Sequence, residues 1–295
     1  MSRKHPVIAV TGSSGAGTTT VKRAFEHIFY REQVTPCIVE GDSFHRFDRA
    51  QMREVVEDAL AQGTHLSHFG PEANLFSDLE KLFSTYGDTG TGKKRLYLHN
   101  EEEAEPYGQA SGTFTPWEDI PKGSDLLFYE GLHGGVVNGT ANVAKHVDLL
   151  IGVVPIVNLE WIQKIHRDTG ERGYAPEDVT ENILRRMHDY VHYITPQFSQ
   201  TDINFQRVPT VDTSDPFVAR DIPTPDESFV VIRFRDPTKF HTDFPYLLSM
   251  INGSFMSRRN SIVIPGGKMG LAMEIIFAPI VDEMMNQRRA TLKVA

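Results

Sequence analysis

Short, unbroken apolar runs recur along the chain: Val7 to Val10, Pro36 to Glu40, Asp125 to Gly131 and Val147 to Val154. Runs of this length without polar alternation are the form taken by strands buried on both faces, which helices must then cover. Between the first two runs, Val21, Ala24, Phe25 and Ile28 repeat at helical spacing from Thr18 to about Tyr30, so the opening segment reads β-α-β. A long segment of different texture separates the second and third runs. It carries helical patterns near Ala50 to Ala61 and Ser77 to Tyr86, a glycine turn from Gly87 to Gly92, and the acidic run Glu101 to Glu105, which reads as a solvated face. After Pro176 the spacing predicts one helix to about Ile194, with Val179, Ile183, Leu184, Met187 and Val191 as its core stripe. Strands over Arg207 to Val211, Phe229 to Phe234 and Ser261 to Ile264 extend the sheet, and an amphipathic helix from Gly270 to Met285 closes the chain. The pattern as a whole predicts one α/β domain over residues 1–295, with an insertion at about 43–122 above the carboxyl edge of the sheet. Thr213 to Asp226, rich in Pro and Asp, is the strongest linker candidate, although it need not separate domains.

Composition narrows the partners. The chain of 295 residues is 40% hydrophobic and 23% charged, ordinary for a globular protein with a large core. Its formal net charge of −9 argues against nucleic acid or an anionic membrane as the main partner, so any anion site must be a local cluster of cations. The lone Cys37 excludes an intrachain disulfide and points to a reducing compartment. The first strand begins too early to leave room for a signal peptide, and no apolar run reaches membrane-spanning length, so a cytoplasmic location is expected.

Three clusters carry candidate chemistry. In the first, the strand Val7 to Val10 runs through Gly12-Ser13-Ser14-Gly15-Ala16-Gly17 into a helix start at Thr18-Thr19-Thr20. Glycines let backbone N–H groups point inward, and the helix start adds its positive dipole end, which makes a cradle for polyphosphate. Thr19 stands where such loops hold Mg²⁺, but Thr18 replaces the lysine of the usual pattern, so the missing cation must come from elsewhere. Glu130, closing an apolar run, could hold Mg²⁺ or its water, or simply end a strand. The second cluster follows the second strand: Asp42, then His45, Arg46 and Arg49, a base beside groups able to grip phosphate. The third places Lys164, Arg167 and Asp168 on one helical face, with Arg172 in a glycine-flanked loop, a lid-like segment able to supply the cation absent at position 18. Each cluster alone has a structural alternative: a glycine turn, a capped loop, a salt-bridged surface helix.

Gly12 to Thr20, Glu40 to Arg49, Phe128 to Gly134, Asn158 to Asp168 and Gln197 to Pro209 together resemble the phosphoribulokinase family over nearly the whole length, and its short bacterial form in particular. The resemblance implies a P-loop NTPase fold like that of nucleoside monophosphate kinases, with a mixed, mostly parallel sheet and helices on both faces. It implies MgATP-dependent phosphorylation of the 1-hydroxyl of ribulose 5-phosphate, in the service of carbon fixation. It makes Asp42 the general base and Lys164 and Arg167 the cations at the transferring group. Asp168 becomes a second acid near metal and nucleotide, and His45, Arg49 and Arg172 the grip on sugar phosphate. The family uses Ser or Thr at position 18, so the missing lysine is no departure. The bacterial form is activated by NADH, commonly inhibited by AMP, and assembled as an octamer. The resemblance places Arg31, Arg233 and Arg258 at the NADH site between subunits, and Arg186 in its coupling to the active site. Arg233 and Arg235 alternate on one strand and so face the same side, where unpaired guanidinium groups need an anion or an exposed edge. Two other readings remain: a uridine- or pantothenate-kinase-like enzyme sharing the loop, and a regulatory protein that binds ATP and NADH without chemistry.

Overall fold

In the computed structural model, which describes residues 4–13, 18–170 and 173–294, strand β1 (Val7–Gly12) leads to helix α1 (Thr18–Arg31) and back through β2 (Pro36–Glu40). The insertion follows: a 3-10 turn at Gly41–Phe44, α2 (Arg49–Ala61), α3 (Phe76–Thr89), the short pair β3 (Lys93–Lys94) and β4 (Glu118–Asp119), and between them α4 (Glu101–Ala104). The chain then runs through β5 (Leu126–Gly131), β6 (Leu149–Val154), α5 (Val157–Gly170), α6 (Pro176–Arg185) and α7 (Met187–Asp189). β7 (Ile203–Pro209), β8 (Ser228–Phe234), α8 (Phe244–Met250), β9 (Phe255–Arg258), β10 (Ser261–Pro265) and α9 (Met269–Val294) complete it.

Eight strands form one sheet in the order β2-β5-β1-β6-β7-β8-β10-β9. The first five run parallel, and β8 pairs antiparallel with both β7 and β10. The sheet has a core on each face. Ile8, Val10, Leu126, Phe128, Leu149 and Ile151 pack under α1 and α9, while Val7, Ala9, Leu127, Tyr129 and Leu150 pack under α3. Alternation along each strand therefore feeds both cores at once, which is why the middles of these runs are continuously apolar and their charged residues fall at or near the ends. Phe25 of α1 seals the first core, its ring 4.9 Å from both Phe128 and Phe277.

Three expectations are corrected. The strand expected over Arg207 to Val211 spans Ile203–Pro209, because Ile203 and Phe205 are fully buried and anchor its start. The helix expected from Pro176 to Ile194 is continuous only to Arg185. Leu184 is exposed on α6 itself; the chain then passes through α7 into a π turn at Tyr190–Ile194, where the phase change leaves Val191 exposed while Tyr190 and Ile194 are buried. The closing helix extends to Val294 beyond the expected Met285. Thr213 to Asp226 lies along α5: Asn158 donates to the Thr213 carbonyl, and the Trp161 and Phe217 rings lie 5.2 Å apart.

Candidate active site

The carboxyl ends of β2, β5 and β1 lie side by side, with Glu130 in register with both Val10 and Glu40. Gly41 and Gly131 make this convergence possible. A Cβ on Gly131 would lie 2.6 Å from the Gly41 Cα, and one on Gly41 would lie 2.8 Å from the Gly131 Cα, so the two backbones touch where side chains would separate them. Asp42 projects from the turn that begins at this contact.

Asp42 keeps 42% of its side chain open, but imidazoles surround it: His45 Nε2 lies 3.4 Å from Oδ1 and His99 Nε2 3.9 Å from Oδ2. Burial alone would raise its pKa; the His45 hydrogen bond and the charges of His45, His99 and His68 outweigh this and lower it to about 2. The His45 ring is fixed from behind. Its Nδ1 lies 2.7 Å from Asn74 Oδ1, and Asn74 in turn donates to the His68 and Gly70 carbonyls at 2.8 and 2.7 Å. Since Asn74 Oδ1 can only accept, Nδ1 carries the hydrogen and Nε2 is the nitrogen that faces Asp42. Below them His133, 3% exposed, reaches the His68 carbonyl at 3.3 Å. Burial lowers both His68 and His133 to about 3, so both are neutral at physiological pH.

Helix α5 supplies the cationic wall. Lys164 Nζ donates to Asp168 Oδ2 at 2.5 Å, and Arg167 approaches Oδ1 through Nε and an Nη at 3.0 and 2.9 Å. Asp168 is 4% exposed. Burial would raise it, yet the Lys164 hydrogen bond and the two cations lower its pKa, while burial lowers Lys164 against the pull of Asp168. Arg186, lowered to about 10 by burial, interacts electrostatically with Lys164, Asp168 and His68. At the other end of α5, buried Glu160 accepts from the Tyr190 hydroxyl at 3.0 Å. Ser13 Oγ is buried without a well-formed hydrogen bond of its own, but it faces this pair closely enough to bias both groups; burial dominates and raises Glu160. Electrostatic influence thus links Glu160, Lys164, Asp168, Arg186, His68 and Asp42 in series.

The remaining candidates fall as follows. Gly12 and Ser13 are buried at the end of β1, and Thr20 is exposed beside a cavity of about 230 Å³ between the start of α5 and the Gly266–Gly270 segment. Ser14, Gly15, Ala16, Gly17 and Arg172 lie outside the described residues, as do the side chains of Thr18 and Thr19. Arg49 opens α2 and donates to the His99 carbonyl at 2.7 Å, beside the imidazoles that face Asp42. Arg31 pairs with its neighbour Glu32 at the far end of α1, and Arg233 and Arg258 are exposed. Arg235 is not unpaired, since it bonds Asp202 at 3.3 Å. Among the described residues no group of three or more acidic, histidine or cysteine side chains could hold a metal, and no helix is long and apolar enough to cross a membrane.

Sequence reasoning missed Asn74, His99, His68, His133, Glu160 and Tyr190. Asn74, His68, His99 and His133 lie in connecting segments, where the sequence gives no signal of the side chain each will meet.

A model of the phosphoribulokinase / uridine kinase family matches residues 7–214. The chain is 62% identical over 290 residues to the plasmid phosphoribulokinase of Cupriavidus necator, covering 98% of this chain and 99% of that one. It is 63% identical to the phosphoribulokinase of Xanthobacter flavus, with the same coverage. The solved structure of phosphoribulokinase from Rhodobacter spheroides superposes with a TM-score of 0.89 at 57% identity, covering 98% of this chain and all of that one.

Proposed function

Because this chain belongs to the phosphoribulokinase / uridine kinase family and is a kinase, we propose that it transfers the γ-phosphoryl group of MgATP to the 1-hydroxyl of D-ribulose 5-phosphate. The product is ribulose 1,5-bisphosphate, and the enzyme serves carbon fixation in the cytoplasm. One observation carries the acceptor's identity. The face around Asp42 is lined by His45, His99 and Arg49, so a phosphorylated sugar is met by imidazoles and a guanidinium where a neutral nucleoside would leave them without an anion.

In this reading the triphosphate lies on the Gly12 to Thr20 loop. The base enters the cavity beside Thr20, which Val154, Ile156, Gln163 and Gly267 also line. Asp42, ionised at working pH, accepts the hydrogen bond of the 1-hydroxyl, orients its lone pair and takes the proton late in transfer, so a depressed pKa is compatible with its task. Lys164 and Arg167 meet the transferring group, and Asp168 keeps both cations in place. His45, Arg49 and Arg172 hold the sugar phosphate. Mg²⁺ would neutralise charge on the phosphates, held by Thr19 and Glu130. Asp168 fits less well as a direct ligand, because each of its oxygens already accepts from a cation.

NADH is the proposed activator. Arg233 and Arg258 both stand opposite Ser261, on either side of β10, so they share one row near the sheet edge. Val230, Ile232 and Phe234 point to the core under α1 and α9, so Arg233 points to the opposite face from the helix that bears Arg31. A ligand touching all three arginines therefore draws them from two copies, as an octamer would provide, and Arg186 offers a route from that ligand to the cationic wall. The test is a coupled ADP-release assay with ribulose 5-phosphate, uridine or pantothenate as acceptor, with and without NADH. Turnover with the pentulose phosphate alone is expected, higher with NADH. Silence from folded protein with Mg²⁺ present would reject the reading.

A further inference from the structure

The turn that bears Asp42 is short, partly open to the cleft, and built from Gly41–Phe44 without a side-chain cap at its start. Its own bonds are few: the His45 amide donates to the Asp42 carbonyl at 3.2 Å, and Ser43 Oγ to the Glu40 carbonyl at 2.5 Å. The carbonyls of Ser43 and His45 point away from the sheet toward the insertion. One side chain meets both. Arg95 Nε donates to the Ser43 carbonyl at 2.8 Å and an Nη to the His45 carbonyl at 2.6 Å. The guanidinium forms no carboxylate salt bridge among the described residues. It is clamped between two aromatic faces, with its carbon 3.7 Å from the Phe114 ring centre and 4.7 Å from that of Trp117. Trp117 also packs edge-on against Phe44 of the turn itself, at 5.5 Å. The support behind Arg95 is rigid in turn: the Leu96 amide donates to Thr115 Oγ1 at 2.9 Å and the Thr115 amide to the Leu96 carbonyl at 3.0 Å.

We propose that Arg95 is a positioning residue for phosphoryl transfer: it touches neither substrate, but it spans the carbonyls on both sides of Phe44 and so sets the angle at which Asp42 and His45 face the sugar. The proposal rests on the reading of Asp42 as the base. A planar fork clamped between rings can satisfy two carbonyls at once, whereas an ammonium group on a flexible stem gives one direction at a time and stacks less well. The insertion thereby becomes part of the catalytic apparatus, because Phe114, Thr115 and Trp117 hold the fork that holds the base.

Arg95→Lys and Arg95→Ala, assayed beside the parent protein, test this. The expected result for Arg95→Ala is a kcat about 100-fold lower, the scale of loss when a reacting group is misplaced by an ångström, with KM for ATP unchanged. Arg95→Lys, which keeps the charge, is expected to lose kcat by about tenfold, also without change in KM for ATP. Guanidinium ion added in solution should raise the activity of Arg95→Ala, and amide exchange should quicken at residues 41–46 and not in β1 or β5. If Arg95→Ala does not fold, Arg95→Lys decides. A kcat for folded Arg95→Lys equal to that of the parent, or a parallel loss of kcat and ATP affinity with lower thermal stability, would overturn the proposal. Failure of the parent protein to phosphorylate ribulose 5-phosphate would remove the functional reading instead, while the exchange experiment still reports whether Arg95 holds the turn.

Discussion

Asp42 shows how few contacts decide a residue's chemistry. Desolvation pushes its proton affinity up, three imidazoles push it down, and the imidazoles win by enough to lower it to about 2. Such a carboxylate is a weak base in the ground state, so in the proposed reaction its value would lie in direction: it would orient a hydroxyl whose acidity rises only as the phosphoryl bond forms. Asp42→Asn keeps the shape and can still receive a hydrogen bond through its carbonyl oxygen, but cannot take the proton. The expected outcome in steady-state kinetics is a kcat lower by about a thousandfold, with KM for ATP unchanged. A variant retaining normal turnover would favour the regulatory reading, in which nucleotide binds without chemistry. His45 was legible because it lies one short turn from Asp42. Asn74, which orients it from the segment just before α3, was not, since nothing in a run ending Ala73-Asn74-Leu75 signals which ring it will meet.

Among the elements, the ends of β2 and β5 matter most. Gly41 and Gly131 let two parallel strands finish in backbone contact, with the Tyr129 hydroxyl tucked beneath; a Cβ on Gly41 would lie 2.5 Å from it. Gly41→Ala must push these ends apart. Loss of about 1–3 kcal/mol in chemical denaturation is expected from this overpacking, together with a lower kcat and an undisturbed nucleotide affinity. The π turn at Tyr190–Ile194 is the element that periodicity could not reveal. A five-residue helical turn rotates everything after it, so a stripe drawn at constant spacing from Val179 correctly selects Ile183 and then wrongly selects Val191. The rotation has a use: it turns Tyr190 inward onto Glu160, near Ser13 at the end of β1, in place of a surface residue.

For the whole molecule, buried neutral histidines make stability depend on acidity. His133 is lowered to about 3 from an ordinary value of 6.5, chiefly by burial, and His68 behaves alike. The unfolded chain binds the proton first, so the stabilising contribution is complete above about pH 6.5 and is lost as pH falls toward 3, at up to about 1.4 kcal/mol per pH unit for His133. Urea unfolding between pH 7.5 and 5 should show this decline, and His133→Gln should flatten part of it; a pH-independent midpoint would contradict it. Much of the fold was open to reading from the chain, because continuous apolar runs, helical spacing and glycine turns are set by neighbours a few residues apart. The acid–histidine–arginine group after the second strand and the cationic helix were legible for the same reason. Tertiary structure decided how they meet. Only the strand order β2-β5-β1-β6 carries Asp42, Glu130, Ser13 and α5 to one crevice, and only folding brings Asn74, His68, His133 and Arg95 around Asp42 and its turn. Those contacts join residues dozens of positions apart, and a contact made through space by packing leaves no period in the sequence.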